Sequence, residues 1–321
     1  MSRRNYEPKP LFVERMKKLL GKDFNSYMEI LKENPVRSFR CNTLKISPAN
    51  LKKRLEEKGW KIKIPFEDFP EIMIVESELK PGELGRALEH LLGYYYIQEL
   101  ASMLPALALN PKKGERVLDL CASPGSKTTQ MASMMENSGL LIANEVKVGR
   151  IKILASNTER CGVMNMIMTR RDGIALCNRF KQENFLFDKI LLDAPCSGEG
   201  TIRSTPSTLE MWNIKTIENL SKLQKSLIAS AIEILKPNGE LVYSTCTHAP
   251  EENEEVVDFA LKNFKVKVEK INLPIKTRQG ITKWENKEYS DEVKLTCRVY
   301  PQDNNTEGFY ISKIKKLKTK N

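Results

Sequence analysis

The sequence predicts an α/β protein with a mostly parallel sheet, preceded by a smaller α/β module. Two observations support this prediction. From residue 114 onward, short apolar strands alternate with helical segments, a pattern typical of a parallel sheet with helices on both faces. The 321 residues are also long for one compact core and suit two domains. We therefore place the small module at 1–92 and the large domain at 93–321.

The small module contains short elements that are rich in Lys and Arg. Apolar residues in the first 35 positions recur with helical spacing, and Pro35 interrupts them. Ser47 is a candidate N-cap, with Pro48 at the first helical position, and Gly59 follows that helix. The predicted elements are a helix within 1–35, a strand at 38–44, a helix at 47–57, and strands at 60–64 and 72–75.

The large domain shows the strand and helix alternation most clearly. Residues 94–109 are predicted to be mostly helical. Strands are predicted at 117–120, 140–143, 164–168, 189–192, 240–243 and 309–312. Helices are predicted at 126–135, 148–160, 217–235 and 251–263, the last with acidic residues in its first turn, where the helix dipole favours them. We expect the lysine-rich segment after Ile314 to be disordered.

Composition limits the kinds of partner and cofactor. The chain has 52 Lys and Arg against 41 Asp and Glu, a net charge of +11, which suits a polyanionic partner but does not by itself exclude a solvated basic surface. Seven dispersed cysteines without a CxxC pair, and only two histidines, argue against a disulfide framework and a zinc site. With neither a bilayer-spanning apolar run nor a signal segment, we expect a cytoplasmic protein.

Four acidic residues follow predicted strands: Asp119, Glu145, Asp172 and Asp193. The carboxyl ends of parallel strands are where open α/β sheets bind ligands. The first loop, 119–127, is rich in small residues but has one glycine and one proline, so it is not the GxGxxG loop that binds dinucleotides. It suits S-adenosylmethionine, which carries no phosphate and needs a carboxylate such as Glu145 for its ribose hydroxyls.

Two cysteines follow the ends of adjacent predicted strands, at the same edge of the sheet as the acidic residues. Cys196 follows the predicted strand that ends at Asp193, and Cys246 follows the strand at 240–243. Together with Cys121 they are candidate functional thiols, because a packing cysteine more often lies inside a strand. The remaining cysteines, predicted to be packing or surface residues, are Cys41, Cys161, Cys177 and Cys297. The segment Asp193-Ala194-Pro195-Cys196 lacks the aromatic residue that amine methylation requires after Asp-Pro-Pro.

The sequence resembles the Sun-type (NSUN-type) RNA cytosine-5-methyltransferase family over almost its whole length. The segments that carry the resemblance are 35–45, 96–102, 119–127, 193–198, 244–247, 250–254 and 307–311. The pairing of a Pro-Cys segment with a Thr-Cys segment is its most specific part. The resemblance implies a Rossmann-like class I methyltransferase fold with a mostly parallel seven-stranded sheet, and a small N-terminal RNA-recognition-like domain.

The resemblance also implies roles for individual residues. Cys246 would be the nucleophile that adds to carbon 6 of cytosine, Cys196 would assist release of the methylated base, and Asp193 would lie near ring nitrogen 3. The implied contacts to S-adenosylmethionine are Cys121, Ala122, Ser123, Pro124, Gly125, Ser126, Lys127, Glu145, Arg150, Asp172 and Asp193. Ser126 stands where glycine is common in the family, and Glu145 where aspartate is common.

Partners follow from the same resemblance. Arg37, Arg40 and Asn42 are expected to contact RNA, with transfer RNA favoured over ribosomal RNA, and the protein is expected to be a monomer without a metal. Two alternatives stay open. A DNA cytosine-5 methyltransferase would attack with Cys196 and leave Cys246 without a function. A non-catalytic RNA-binding assembly factor would not require the intact Cys196, Cys246, Lys127 and Asp193.

Overall fold

The structure, a computed structural model, describes residues 7–318. Its first two helices are α1 (Pro10–Leu20) and α2 (Phe24–Ile30), joined by a short 3₁₀ turn. Phe12 and Tyr27 are buried against Trp212 and Tyr300, which lie much later in the chain. The sequence placed these helices in the small module, but their apolar faces pack on the large domain.

A four-stranded antiparallel sheet forms the small module, with strand order β2-β3-β1-β4. Its elements are β1 (Ser38–Cys41), α3 (Pro48–Glu56), β2 (Ile62–Lys63), β3 (Ile72–Val75), α4 (Glu83–Arg86), α5 (Leu88–Leu91) and β4 (Tyr95–Ile97). The N-cap prediction is confirmed, since Ser47 Oγ accepts a hydrogen bond from Asn50 N at 3.3 Å. Because β4 pairs with β1, this sheet extends past the boundary predicted at residue 92.

The large domain begins with α6 and contains the remaining elements. They are α6 (Leu100–Leu109), β5 (Arg116–Asp119), α7 (Ser126–Met134), β6 (Leu140–Asn144), α8 (Val148–Cys161), β7 (Met166–Thr169), α9 (Gly173–Gln182), β8 (Phe187–Asp193), α10 (Thr208–Met211), α11 (Ile214–Glu233), β9 (Leu235–Thr245), α12 (Glu254–Asn263), β10 (Val266–Glu269), β11 (Arg278–Gln279), β12 (Lys283–Trp284), β13 (Lys287–Glu288), β14 (Cys297–Val299), α13 (Pro301–Asn304) and β15 (Phe309–Lys316). Strands β12 and β13 form a separate hairpin.

The main sheet has a Rossmann-like parallel half and an antiparallel half. Its order is β11-β14-β15-β9-β8-β5-β6-β7, with β10 also paired to β15. Strands β5 to β9 are mutually parallel, whereas β15 runs antiparallel to β9. The expected fold class is confirmed, but within residues 7–318 the sheet has nine strands rather than seven. The three strands of this sheet that the sequence does not predict, β10, β11 and β14, are two to four residues long and partly polar, which is too short for a clear alternating pattern.

Three further predictions differ from the structure. The segment 94–109 is helical only from Leu100, because Tyr95 and its neighbours form β4. Helix α9 (Gly173–Gln182) was not predicted. The chain after Ile314 continues as β15 to Lys316, where Lys315 pairs with Glu240 of β9, so disorder was the wrong expectation there; residues 319–321 lie outside the described part.

The face of the small sheet that could bind RNA is covered. One face packs on α3, where Phe39 and Tyr95 contact Leu51. On the opposite face Ile72 is buried against Leu100 and Met103 of the large domain. An RNA-recognition domain stacks bases on its open sheet face. That mode of binding is closed to this module, because the large domain occupies the face.

Arg40 and Asn42 lie inside the contact between the two domains. Arg40 is 2% exposed and donates to Ser126 O and Thr129 Oγ1 of α7, both at 2.8 Å. Asn42 is 1% exposed, and its Nδ2 donates to backbone oxygens of Gly93 and Cys161. The expected RNA contacts of these two side chains are therefore wrong for this structure. Arg37 is exposed, and its RNA contact stays a prediction.

No helix among residues 7–318 combines the length and the apolar character needed to cross a membrane.

Arg40→Ala should lower the free energy of unfolding by about 3 kcal/mol, because it leaves buried acceptors unpaired and opens a cavity between the domains. Urea denaturation measures this change. Arg37→Ala is the matched control and should change stability by less than about 0.5 kcal/mol, since its side chain is exposed. Equal effects of the two substitutions would contradict the structural role of Arg40.

Candidate active site

Acidic side chains gather at the carboxyl edge of the parallel strands. Asp119 and Asp193 are the last residues of β5 and β8, and Glu145 follows β6 directly. Asp172, after β7, is exposed, and its Oδ1 accepts a hydrogen bond from Ala175 N at 3.0 Å as the N-cap of α9. The first three acids thus line the edge, while Asp172 has a local structural contact.

The loop between β5 and α7 is held tightly against α8. Arg150 donates to Ser123 O at 2.5 Å, and Ser123 Oγ donates to Arg150 O at 2.9 Å. Gly125 has a φ of 103°, which side chains rarely adopt, and an added Cβ would lie 3.0 Å from Leu154 Cδ1. A small residue is required at this turn because the helix behind it leaves no space.

Asp119 is buried with one oxygen unsatisfied. Its Oδ2 accepts a hydrogen bond from Thr128 Oγ1 at 2.7 Å, whereas Oδ1 has no hydrogen-bond partner among the residues that the structure describes. Burial raises the pKa of Asp119 to about 7, although the hydrogen bond from Thr128 acts in the opposite direction and lowers this pKa. An unsatisfied buried carboxylate oxygen is costly unless a ligand supplies a donor, so this oxygen marks a place for one.

Lys127 and Asp193 form the central ion pair of the site. Lys127 Nζ donates to Asp193 Oδ2 at 2.7 Å and to Ser102 Oγ at 3.1 Å. The ammonium also lies 5.2 Å from the centre of the Phe309 ring. Ser244 Oγ donates to the other oxygen, Asp193 Oδ1, at 2.7 Å. Both oxygens of Asp193 therefore act as acceptors, which fixes its carboxylate between β5 and β9.

The two predicted thiols meet at the ends of β8 and β9. Cys196 Sγ lies 3.2 Å from Cys246 Sγ, and it also accepts a hydrogen bond from Cys246 N at 3.3 Å. Both are free, partly exposed cysteines. The hydrogen bond with Cys246, followed by burial, raises the pKa of Cys196 well above its usual value.

A cavity of about 200 Å³ opens between the first loop and Asp193. It is lined by Ser102, Asp119, Cys121, Ala122, Ser123, Pro124, Ser126, Lys127 and Asp193. Burial raises the pKa of Cys121 above its usual value, so this thiol stays protonated inside the cavity. Gly125, Glu145 and Arg150 support the cavity from outside its lining. Glu145 is 3% exposed, accepts a hydrogen bond from Lys147 N at 2.8 Å, and lies 3.4 Å from Arg150.

Two lining residues were absent from the predicted cofactor contacts. Asp119 had been noted only as an acid at a strand end. Ser102 lies in the segment 96–102, which carried part of the resemblance, but a serine there gave no chemical reason to select it. Its position at the start of α6, where Glu99 caps the helix by accepting from Ala101 N at 2.7 Å, aims it at Lys127.

Two buried carboxyl groups beneath the cysteine loops were also missed. Glu252 Oε2 accepts hydrogen bonds from Ser197 N at 3.0 Å and Gln224 Nε2 at 2.8 Å, and burial raises its pKa to about 7. Glu199 accepts from Trp212 Nε1 at 2.7 Å and from Thr247 Oγ1 at 3.2 Å. The sequence had assigned Glu252 to the first turn of a helix, but α12 begins only at Glu254.

Within the part of the chain that the structure describes, no group of three or more His, Cys, Asp or Glu side chains is arranged to hold a metal ion.

Comparison with known families agrees with the geometry. Residues 106–315 match the family model of the 16S rRNA methyltransferase RsmB/F, and residues 9–100 match the N-terminal domain of the 16S rRNA methyltransferase RsmF. A tRNA (cytosine(49)-C(5))-methyltransferase from Pyrococcus abyssi is 45% identical over 306 residues, which cover 95% of each chain. The ribosomal RNA small subunit methyltransferase F of Vibrio parahaemolyticus is 37% identical over 310 residues; these are 95% of this chain but 62% of that relative.

Solved structures show the same similarity. A methyltransferase homolog protein from Pyrococcus horikoshii superposes with a TM-score of 0.85 at 38% identity, covering 96% of this chain and 95% of that one. NSun6 from Pyrococcus horikoshii with SFG gives a TM-score of 0.81 at 27% identity, covering 97% and 99%. With the paired thiols, the ion pair and the matched family model taken together, the chain belongs to the RsmB/F methyltransferase family.

Proposed function

We propose that this protein uses S-adenosylmethionine to methylate carbon 5 of cytosine in RNA. The observation that carries the proposal is the pair of sulfurs, Cys196 and Cys246, 3.2 Å apart beside the Lys127–Asp193 ion pair. Transfer of a methyl group to nitrogen or oxygen needs no thiol, because those atoms carry a lone pair. Carbon 5 of cytosine has none, and covalent addition of a thiolate to carbon 6 is what makes it nucleophilic.

The cavity residues fit S-adenosylmethionine, which when bound supplies an electrophilic methyl group on a sulfonium. The unpaired Asp119 Oδ1 is an acceptor for a ligand donor, and Lys127 is a donor for a ligand carboxylate. Glu145, buried directly after β6, is proposed as the acceptor for ribose hydroxyls. The similar Pyrococcus horikoshii NSun6 was solved with SFG, an S-adenosylmethionine analogue. Gly125 and Arg150 hold the loop that carries these contacts.

Cys246 is proposed as the nucleophile. Its thiol first loses its proton to solvent. The thiolate sulfur then forms a bond to carbon 6 of cytosine, and the electrons of the 5,6 double bond move toward carbon 5 and ring nitrogen 3. Asp193 is proposed to deliver the proton to nitrogen 3. Because both its oxygens accept hydrogen bonds, that proton comes through its partner Lys127, which is a donor to Asp193 Oδ2. Cys196, with its raised pKa, keeps its proton during this step.

Cys196 is proposed to act at release. Once Cys246 is bonded to the base, its sulfur no longer interacts with Cys196 as a thiolate. The largest cause of the raised pKa of Cys196 is then gone, and this thiol can lose its proton to solvent. The Cys196 thiolate takes the proton from carbon 5, and those bonding electrons re-form the 5,6 double bond. The carbon–sulfur bond breaks, Cys246 leaves with its electron pair, and the proton on nitrogen 3 returns through Asp193 to Lys127.

Transfer RNA is the proposed substrate, with ribosomal RNA second. The Pyrococcus abyssi relative named for cytosine 49 of tRNA matches along 95% of its own length, whereas the Vibrio parahaemolyticus rRNA enzyme has more than a third of its length outside the match. We propose that the N-terminal module contacts RNA through surfaces other than its covered sheet face, with exposed Arg37 as one contact. A cytoplasmic location and a monomeric state stay predictions.

Cys196→Ala should accumulate a covalent protein–RNA adduct, because Cys246 can add to the base while release is blocked. Cys246→Ala should form none and should lose methyl transfer by at least about a thousandfold. Each variant is incubated with S-adenosylmethionine and total RNA, separated on denaturing gels, and the attached RNA is sequenced. If only Cys246→Ala retained RNA, Cys196 would be the attacking thiol and the assigned roles would be reversed.

Glu145→Ala should weaken S-adenosylmethionine binding by about tenfold or more, since hydrogen bonds to a charged group contribute about 1.5–3 kcal/mol. Isothermal calorimetry on the protein without RNA measures this. Glu159→Ala serves as the control: this glutamate is exposed on α8 and should leave the affinity within about twofold of the original. Unchanged binding by Glu145→Ala would remove Glu145 from the cofactor site.

A further inference from the structure

Two thiols in close contact can carry a single negative charge on either sulfur. When a pair of sulfurs 3.2 Å apart loses one proton, the other proton is shared, and the negative charge settles on one sulfur. Only the sulfur that carries the charge is a strong nucleophile. Some asymmetry in the surroundings must therefore select Cys246. This requirement rests on the proposed function, which makes Cys246 the attacking residue.

Glu252 is placed on the Cys196 side of the pair. Its side chain is fully buried, and Oε2 accepts hydrogen bonds from Ser197 N at 3.0 Å and Gln224 Nε2 at 2.8 Å. Gln224 Nε2 also donates to Pro195 O at 2.8 Å. The peptide groups on both sides of Cys196 are thus held by one carboxyl group and the amide bound to it.

The loop that carries Cys246 is held differently. Thr245 Oγ1 donates to Asn253 Oδ1 at 2.5 Å, and Asn253 Nδ2 donates to Thr247 O at 3.0 Å. A neutral amide therefore spans Cys246. The acid Glu199 also binds this loop, through the Thr247 hydroxyl and His248 N, both at 3.2 Å, whereas Glu252 accepts from the peptide nitrogen directly after Cys196. Asn253 and Glu252 are adjacent in the chain, and each binds one of the two cysteine loops. Of this pair, the amide binds the loop of Cys246 and the carboxylate binds the loop of Cys196, so the surroundings of the two sulfurs differ.

We propose that Glu252 is a positioning residue that selects the nucleophile: its negative charge beside Cys196 holds the shared proton on that sulfur and leaves the thiolate on Cys246. Among residues 7–318 no hydrogen-bond donor meets Glu252 Oε1, so no partner from this part of the chain offsets its charge there. After the hydrogen bond to Cys246 and burial, the charge of Glu252 is a further cause that raises the pKa of Cys196.

The selection should depend on pH. Burial raises the pKa of Glu252 to about 7, so its carboxylate is charged above that pH and neutral below it. The groups that face Glu252 from the packed elements are the neutral donors Ser197 and Gln224, the Tyr243 hydroxyl, which donates to its backbone oxygen, and the second acid, Glu199. The preference for Cys246 should therefore grow as pH rises through 7.

Alkylation with iodoacetamide, followed by peptide mass spectrometry, measures the preference on the full chain without RNA. At pH 8 Cys246 should react about tenfold faster than Cys196, and Glu252→Gln should lower that ratio at least about fivefold. The carbonyl of the glutamine can keep both hydrogen bonds to Ser197 and Gln224, so the loop is preserved while the charge is removed. Glu255→Gln, whose carboxylate pairs with Lys225 and Lys287, is the matched control and should leave the ratio unchanged.

The original protein supplies a second test that needs no variant. Its Cys246:Cys196 ratio should rise between pH 6 and pH 8, and the ratio in Glu252→Gln should stay level. The proposal is overturned if the ratio of the original protein is the same at both pH values. It is also overturned if the ratio of Glu252→Gln at pH 8 equals that of the original protein. Faster alkylation of Cys196 overturns it as well.

RNA adduct formation separates this proposal from a purely structural role. If Glu252 acts through Cys196, Glu252→Gln should slow adduct formation at least about fivefold in an otherwise unchanged chain but less than about twofold in the Cys196→Ala background. Equal slowing in both backgrounds would show a structural role and overturn the proposal. If Cys196→Ala traps no RNA at all, the proposed function fails, whereas the alkylation ratios still decide the role of Glu252.

Discussion

The parallel pairing of β8 with β9, which keeps one register from Lys189 to Asp193, is the constraint on which the rest of the site depends. Asp193 lies opposite Ser244, so both strands leave the sheet at the same height. Ala194 N donates to Ser244 O, and Gly200 N donates to Cys246 O, which keeps the two chains together beyond the strands. Cys196 and Cys246 are therefore brought into contact by backbone pairing. A shift of one residue in this register would turn one of the side chains to the other side of the sheet.

The small N-terminal sheet has a structural part in the same site. Arg40 crosses from β1 to the large domain and donates to the backbone oxygen of Ser126, a residue of the cavity lining. Tyr96 of β4 lies behind the same loop, and its hydroxyl accepts a hydrogen bond from Asn157 of α8. The sheet face that an RNA-recognition domain would offer to bases is thus used to support the cofactor loop. The RNA contacts proposed for this module are therefore restricted to its other surfaces.

Strands and the cysteines that follow them could be predicted from apolar periodicity and strand ends. Residues whose position depends on long-range packing could not be assigned from the sequence. The strands β5, β6 and β8 have clear apolar cores, and the two cysteines beyond β8 and β9, which lie in contact in the structure, could be singled out because both follow strands. Arg40 was misassigned because a cationic side chain in a basic module resembles a phosphate contact until its burial is known. Glu252 was missed because its contacts to Ser197 and Gln224 join residues 28 to 55 positions apart, and no local pattern reports them.

The contrast between Glu252 and Glu254 shows why burial alone does not explain the acid beside Cys196. Glu254, two residues later, is also fully buried, and it is paired with the guanidinium of Arg298 through two hydrogen bonds. Such a pair offsets much of the cost of desolvation. In the described part of the chain no cation pairs with Glu252; its hydrogen-bond donors are Ser197 and Gln224, and Oε1 lacks a donor there. A glutamine could make the same two hydrogen bonds at a smaller desolvation cost. A carboxylate at this position therefore lowers the stability of the fold without improving its packing. The property that it adds is a negative charge next to a thiol.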